Sequence, residues 1–144
     1  MWRAGLIAVA CGLVPAPAGE VSSPWERNAW VRTDAGSSVL EPPPHAGGGQ
    51  STAWRYFDQV PEPTLIFRKR LLHPGAAIGV HPLTHDEVYY LLEGSGELHV
   101  DGATRPVSAG TAIYLRKGAR VGLRQLGSDG LLLIISYPPP AGSP

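Results

Sequence analysis

The feature that most constrains the fold is a close succession of short apolar strand patterns, most of them separated by glycine-containing turns. No connection between these segments is long enough for the helical crossover that joins parallel strands. Short strands at regular intervals without a helical period predict an all-β sandwich or barrel. The predicted strands are residues 64–72, 77–81, 87–92, 97–100, 104–107, 111–115, 119–126 and 131–137.

Length and charge limit the functions that this chain can have. Its 144 residues suit one domain with a single modest core. Twelve basic and twelve acidic residues give a formal net charge of zero. Because a protein that binds phosphate backbones normally carries a basic excess, we expect no nucleic-acid partner.

Residues 1–19 have the features of a signal peptide. Arg3 supplies a basic start, residues 4–14 form an apolar run, and Ala16-Pro17-Ala18 has the small-x-small form of a cleavage site. The apolar run is too short to cross a bilayer, so no membrane span is expected. We therefore predict a periplasmic or secreted protein. The alternative is a disordered or strand-forming N-terminus of a cytosolic protein.

Proline and glycine divide the rest of the chain. Residues 20–50 are predicted to be an extended N-terminal arm that ends in a Pro/Gly-rich linker. This arm is expected either to be mobile or to add a strand to the barrel or to a second subunit. Residues 51–137 form the predicted barrel. Residues 138–144 are a proline-rich tail that is expected to be disordered, because proline lacks the donor for a strand ladder.

Two segments of the predicted barrel resemble the two motifs of the cupin superfamily. Residues 74–96 resemble the first motif and residues 108–118 the second, with glycines at the family's turn positions. The resemblance covers residues 64–137. It implies a double-stranded β-helix, which is a jelly-roll barrel of two antiparallel sheets. It also implies a homodimer and a small-molecule site in the open end of the barrel.

The family's usual site has three histidines and one glutamate around a divalent metal such as Fe, Mn, Ni, Cu or Zn, and this chain matches it in part. His81 stands at the first histidine position and Glu87 at the glutamate position. Leu83 and Val121 occupy the other two positions. An aliphatic side chain cannot coordinate a metal, so these two residues are expected to make the pocket drier.

His85 is a candidate replacement ligand. On a straight strand it would lie about 13 Å from His81, but a turn between them could gather both with Glu87 into a metal site of two histidines and one carboxylate. The alternative, which we favour, is that His85 faces solvent at a turn tip and His81 bonds to Glu87. The other histidines are expected at the surface: His45, His73 and His99.

Strand alternation indicates further pocket residues. Tyr89 shares a face with Glu87, and Gln125 on a later strand is a candidate for hydrogen bonding to a substrate. Arg68 and Arg70 share one face of another strand. They would either bind an anionic ligand or form a basic stripe that faces solvent.

Two classes of function remain. The first is an isomerase, lyase, cyclase or oxygenase that uses a metal, or that uses Glu87 as general acid or base with His81 as its partner. The second is a metal-free binding or sensing module that holds a small ligand without chemistry. The fold does not separate them, because it carries many unrelated activities.

Overall fold

The computed structural model describes residues 28–141, and this range is almost entirely strand and turn. A short 3₁₀ turn, Pro44–Ala46, lies between the first two strands. The predictions for residues 1–19 and for the last three residues of the tail lie outside the described residues. The strands are β1 (Ser38–Glu41), β2 (Ser51–Trp54), β3 (Ile66–Leu72), β4 (Ala77–Pro82), β5 (Glu87–Glu93), β6 (Ser95–Val100), β7 (Ala103–Ser108), β8 (Ala112–Leu115), β9 (Arg120–Leu126) and β10 (Leu131–Tyr137).

The strands form two antiparallel sheets with the core between them. The larger sheet has the order β1-β2-β3-β10-β5-β8, and the smaller has the order β4-β9-β6-β7. Consecutive strands repeatedly change sheet, as β3, β4 and β5 do. This is the double-stranded β-helix that the sequence predicted. Within residues 28–141, no helix has the length and apolar character needed to cross a membrane.

Strand alternation decides which side chains enter the core. In β5, Glu87, Tyr89 and Leu91 are buried while Val88 and Tyr90 are exposed. Each large apolar side chain that leaves water contributes roughly 1.5–3 kcal/mol to folding. The buried apolar residues form one cluster: Leu72, Ala76, Ile78, Leu83, Tyr89, Leu91, Leu98, Val107, Leu115, Val121, Leu123, Leu131, Leu133 and Ile135.

The hairpin between β6 and β7 shows how local sequence directs this topology. Asp101 and Gly102 form its turn, and both have positive φ, at 49° and 87°. Such a turn twists in the sense that the flanking strands require. Asp101 also accepts a hydrogen bond from the backbone N–H of Arg120, which fixes the hairpin against β9. This turn lies between the predicted strands 97–100 and 104–107, where the sequence indicates a glycine-containing turn.

The predicted barrel strands match the observed ones closely. A strand added by the arm was one of the expected alternatives, and β1 is such a strand, whereas β2 was not predicted. Residues 38–41 of the arm form β1, which pairs with β2 of the same chain. Each of these strands has only four residues. Residues 38–41 of the arm therefore form the edge strand of the larger sheet.

Ion pairs join the arm to the barrel. Arg70 on β3 is almost fully buried, and it donates hydrogen bonds to Ser51 on β2 (2.5 Å) and to Glu41 on β1 (2.8 Å). Glu41 also pairs with Arg55. Burial alone would raise the pKa of Glu41, but the two guanidinium groups outweigh it and hold the pKa below its usual value.

We predict that Glu41→Gln lowers the free energy of unfolding by about 3 kcal/mol at pH 7, because Arg70 is left buried without its counter-charge. A carboxyl with a depressed pKa stabilises the fold above its unfolded pKa of about 4.5, and this stabilisation is lost as pH falls through the folded pKa. The difference between wild type and variant should therefore shrink below pH 4.5. Urea unfolding at pH 7 and under acidic conditions measures both effects.

The matched control is Glu97→Gln, which removes an exposed pair with Arg124. An exposed pair contributes about 0–1 kcal/mol, so this variant should unfold nearly as the wild type does. Equal stability of Glu41→Gln and wild type at pH 7 would contradict the account of the arm.

Candidate functional site

A cavity of about 320 Å³ lies between the two sheets, at the end where β4 and β10 finish and β5 begins. Its walls are formed by residues of β3, β4, β5, β10, the β4–β5 turn and the 3₁₀ turn of the arm. Apolar side chains form part of the lining, including Leu83. The principal charged and aromatic residues of the lining are Arg68, Arg70, His45, His81, His85, Glu87, Tyr89 and Tyr137.

His85 and Glu87 form a hydrogen-bonded pair in this cavity. Nε2 of His85 lies 2.9 Å from Oε1 of Glu87, and Glu87 is buried at the start of β5. The His85 ring also stacks on Tyr137, with ring centroids 4.8 Å apart and planes within 11°. The turn after Leu83 folds His85 back over the cavity. This differs from the expectation that His85 points into solvent, and it shows that a turn residue can be inward-facing when the turn lies at the edge of a cavity.

His81 lines the same cavity but is engaged differently. Its Nδ1–H donates to the carbonyl oxygen of Gly79 at 2.8 Å, and its ring stacks on His45 with centroids 3.3 Å apart. Partial burial and the neighbouring His81 lower the pKa of His45. Within the described residues, the hydrogen-bond partner of Glu87 is therefore His85 rather than His81, which differs from the expected His81–Glu87 pair.

The histidine and carboxylate side chains of the cavity are not arranged to bind a metal ion. Among residues 28–141, no three His, Cys, Asp or Glu side chains converge closely enough to hold one. Leu83 lines the cavity as an apolar wall, and Val121 is fully buried in the core. The metal-ligand role predicted for His81, His85 and Glu87 therefore finds no support in this arrangement.

Both arginines of β3 face the cavity and not the solvent side of the sheet. Arg70 is tied to Ser51 and Glu41, as described above. Arg68 donates from Nη2 to Asp58 at 3.0 Å, while its Nε is buried and has no hydrogen-bond partner among the described residues. A buried donor without an acceptor is unfavourable, so the described residues satisfy the Arg68 guanidinium incompletely.

Tyr89 lies beside Glu87 on the same inward face of β5. Burial, and then the neighbouring Glu87 carboxylate, raise the pKa of Tyr89 well above its usual range. The phenol therefore stays protonated at neutral pH and remains a hydrogen-bond donor. Tyr89 and His85 together give the carboxylate of Glu87 two neighbouring proton-bearing groups.

Gln125 and Val121, which the sequence also placed in the pocket, do not line this cavity. Gln125 is buried elsewhere in the barrel wall. Its side-chain oxygen accepts from the Gly75 N–H at 2.7 Å, and its side-chain nitrogen donates to the Leu126 and Gly127 carbonyls at 2.7 and 2.9 Å. Because both the oxygen and the nitrogen of its amide are hydrogen-bonded to the backbone, Gln125 stabilises turns of the barrel and is not positioned to bind a ligand.

Among the cavity residues that the sequence did not predict are two with aromatic rings, His45 and Tyr137. His45 is exposed, as expected, but it also lines the cavity. His45 lies in the Pro/Gly-rich linker, where no periodic pattern reveals the direction of a side chain. Tyr137 is the last residue of β10, where alternation indicates a face but not proximity to His85. The remaining histidines lie elsewhere: His73 bonds to Thr52 at 2.9 Å, and His99 accepts from the Gly102 N–H at 3.3 Å.

Sequence comparison relates this chain to known families. Residues 69–137 match the family described as Cupin domain. The chain is also 30% identical over 67 residues to an oxalate-binding protein of Thermotoga maritima. That alignment covers 46% of this chain and 55% of the relative, so it spans about half of the relative's length.

Structural comparison shows the same fold in solved proteins. A protein of Thermotoga maritima described as a predicted oxalate decarboxylase superposes with a TM-score of 0.67 and 20% identity, over 75% of this chain and 97% of the other. The polyketide cyclase RemF of Streptomyces resistomycificus gives 0.63 and 20% identity, over 75% and 78% of the two chains. A cupin 2 conserved barrel domain protein of Salinispora arenicola gives 0.57 and 24%, over 63% and 77%. At these identities the likeness establishes the fold alone.

Proposed function

The chain is a small protein of the cupin superfamily, and from this premise we propose that it binds a small organic anion, such as a dicarboxylate, in the cavity between its sheets. One observation carries the proposal: Arg68 and Arg70 both face inward from β3 and line that cavity. A guanidinium that is partly or fully removed from water needs an anionic partner, because an unpaired buried charge is costly. Among the described residues, Arg70 pairs with Glu41, whereas Arg68, whose side chain is 25% exposed, pairs with the more exposed Asp58.

Arg68 is therefore the residue that we assign to the ligand. A guanidinium binds a carboxylate through two parallel hydrogen bonds, and its planar shape favours this geometry over that of lysine. Apolar residues such as Leu83 and Ile135 line the same cavity and lower the local dielectric constant. Such a pairing is worth more there than at the protein surface.

The relatives support a carboxylate as the ligand. The curated relative is named an oxalate-binding protein, and oxalate is the smallest dicarboxylate. A volume of about 320 Å³ accommodates such a molecule together with water. Glu87 repels an anion, but it already accepts a hydrogen bond from His85, so the ligand is expected to lie on the arginine side of the cavity.

We predict that Arg68→Ala weakens oxalate binding by at least about tenfold, since a hydrogen bond to a charged group contributes about 1.5–3 kcal/mol. Arg68→Lys should recover only part of the affinity, because an ammonium cannot form the double hydrogen bond. Isothermal titration calorimetry measures both. The control is Arg124→Ala, whose side chain is exposed and pairs with Glu97. Equal affinity in Arg68→Ala and wild type would overturn the assignment of Arg68.

A second candidate function is acid–base catalysis, which the His85–Glu87 pair favours. A buried carboxylate held by a histidine can take a proton from the carbon next to a substrate carboxylate, and Tyr89 can donate a hydrogen bond to the resulting anion. This chemistry uses only side chains of the chain itself. It is compatible with the arginine site, which would hold the substrate's carboxylate.

If this candidate is correct, wild-type protein exchanges the α-proton of a small 2-hydroxy acid in D₂O, and Glu87→Gln reduces the rate by about a hundredfold or more. Oxalate affinity should stay equal or increase in the same variant, because a negative charge has left the cavity. Proton NMR follows the exchange, and Glu97→Gln serves as the control for removal of a carboxylate. Exchange at the same rate in Glu87→Gln would reject acid–base catalysis by Glu87 and leave binding as the function.

A further inference from the structure

The loop between β1 and β2 (residues 42–50), called the β1–β2 loop below, closes one side of the cavity with His45. We infer that His45 is a specificity-determining residue that limits the size of the ligand. The inference rests on the proposed binding function and deepens it. It assigns a part of the site to the N-terminal arm, outside the barrel strands that form the other walls.

The β1–β2 loop lies directly on the backbone of β4. A Cβ atom added at Gly79 would stand 1.8 Å from the carbonyl oxygen of His45, and one added at Gly47 would stand 1.8 Å from that of Ala77. No side chain therefore fits between the two segments at either position. The N–H of Ala77 donates to the Gly48 carbonyl at 3.2 Å, and this hydrogen bond holds the loop against β4 at a second point.

The backbone at His45 adopts a conformation that is unfavourable for residues other than glycine. His45 and Ala46 both have positive φ, at 60° and 54°. For residues other than glycine this left-handed region costs about 1–2 kcal/mol each. The surroundings must supply the compensation, and the close packing on Gly79 and the ring stack on His81 are the contacts that do so.

This conformation places the His45 ring over the cavity. The ring stacks on His81 with planes within 9°, and both residues line the cavity together with Arg68. The imidazole thus occupies volume that a longer ligand would need. A ligand held by Arg68 that extends as far as the ring must displace it, and a five-carbon dicarboxylate reaches further than a two-carbon one.

The first test compares oxalate with glutarate in wild type and in His45→Ala by calorimetry. Shortening the side chain removes one wall of the cavity, so the ratio of the oxalate affinity to the glutarate affinity should fall by about tenfold or more. Differences of a few methylene groups change binding in a pocket by a factor of this size. His99→Ala, which changes a histidine on β6 outside this cavity, is the matched control and should keep the wild-type preference. An unchanged preference in His45→Ala overturns the inference.

The second test needs no ligand and so separates this inference from the proposed function. Diethyl pyrocarbonate modifies neutral imidazole nitrogens, and mass spectrometry reports the rate at each histidine. His81 should react several-fold faster in His45→Ala than in wild type, while His73 and His99 react at unchanged rates. Equal rates at His81 would overturn the closure. Faster reaction together with no carboxylate binding by wild type would reject the proposed ligand and retain the closure.

Gly79→Ala provides an independent way to lift the β1–β2 loop, because its new Cβ would collide with the His45 carbonyl. This variant keeps the imidazole and moves it. It should accelerate modification of His81 in the same direction as His45→Ala. A melting temperature measured for each variant verifies that the barrel is intact, and an intact Gly79→Ala variant with wild-type reactivity at His81 counts against the inference.

Discussion

The ion pair between Arg70 and Glu41 is the interaction on which the rest of the site depends. Arg70 reaches the cavity wall from β3, and its buried charge is balanced by a carboxylate from the arm. The same contact anchors β1 to the edge of the larger sheet. Since the β1–β2 loop begins directly after Glu41, this anchor also places His45 above His81. One pair of charges thus couples the electrostatics of the cavity to its closure.

The position of two aliphatic residues explains why the cavity differs from the usual metal site of this superfamily. Leu83 and Val121 stand where two histidine ligands are common, and the described residues hold no converging set of three ligand side chains. His85 bonds to Glu87, and His81 bonds to the Gly79 carbonyl. The polar chemistry of the cavity therefore comes from a histidine–carboxylate pair and from the guanidinium of Arg68. These groups are suited to binding anions and moving protons.

Much of the fold could be predicted because its signals are local. The turn at Asp101 and Gly102 and the alternation through Glu87, Tyr89 and Leu91 each depend on a few neighbouring residues. The cavity was harder to predict, because its residues meet only through tertiary packing. His85 is turned inward by a bend that no periodicity describes, and Gln125 lies on an inward face yet braces turns elsewhere in the barrel. His45 was hidden in a linker whose conformation depends on packing against Gly79.

The most direct test of this account is calorimetric titration of oxalate into the protein, purified without a histidine tag and treated with a chelator, with its metal content measured by elemental analysis. The account predicts that oxalate binds with the same affinity before and after chelation, at a metal content far below one equivalent. Loss of binding on chelation, with recovery when a divalent transition metal is added back, would contradict it. That result would mean that His81, His85 and Glu87 rearrange around a metal and that the arginines are secondary.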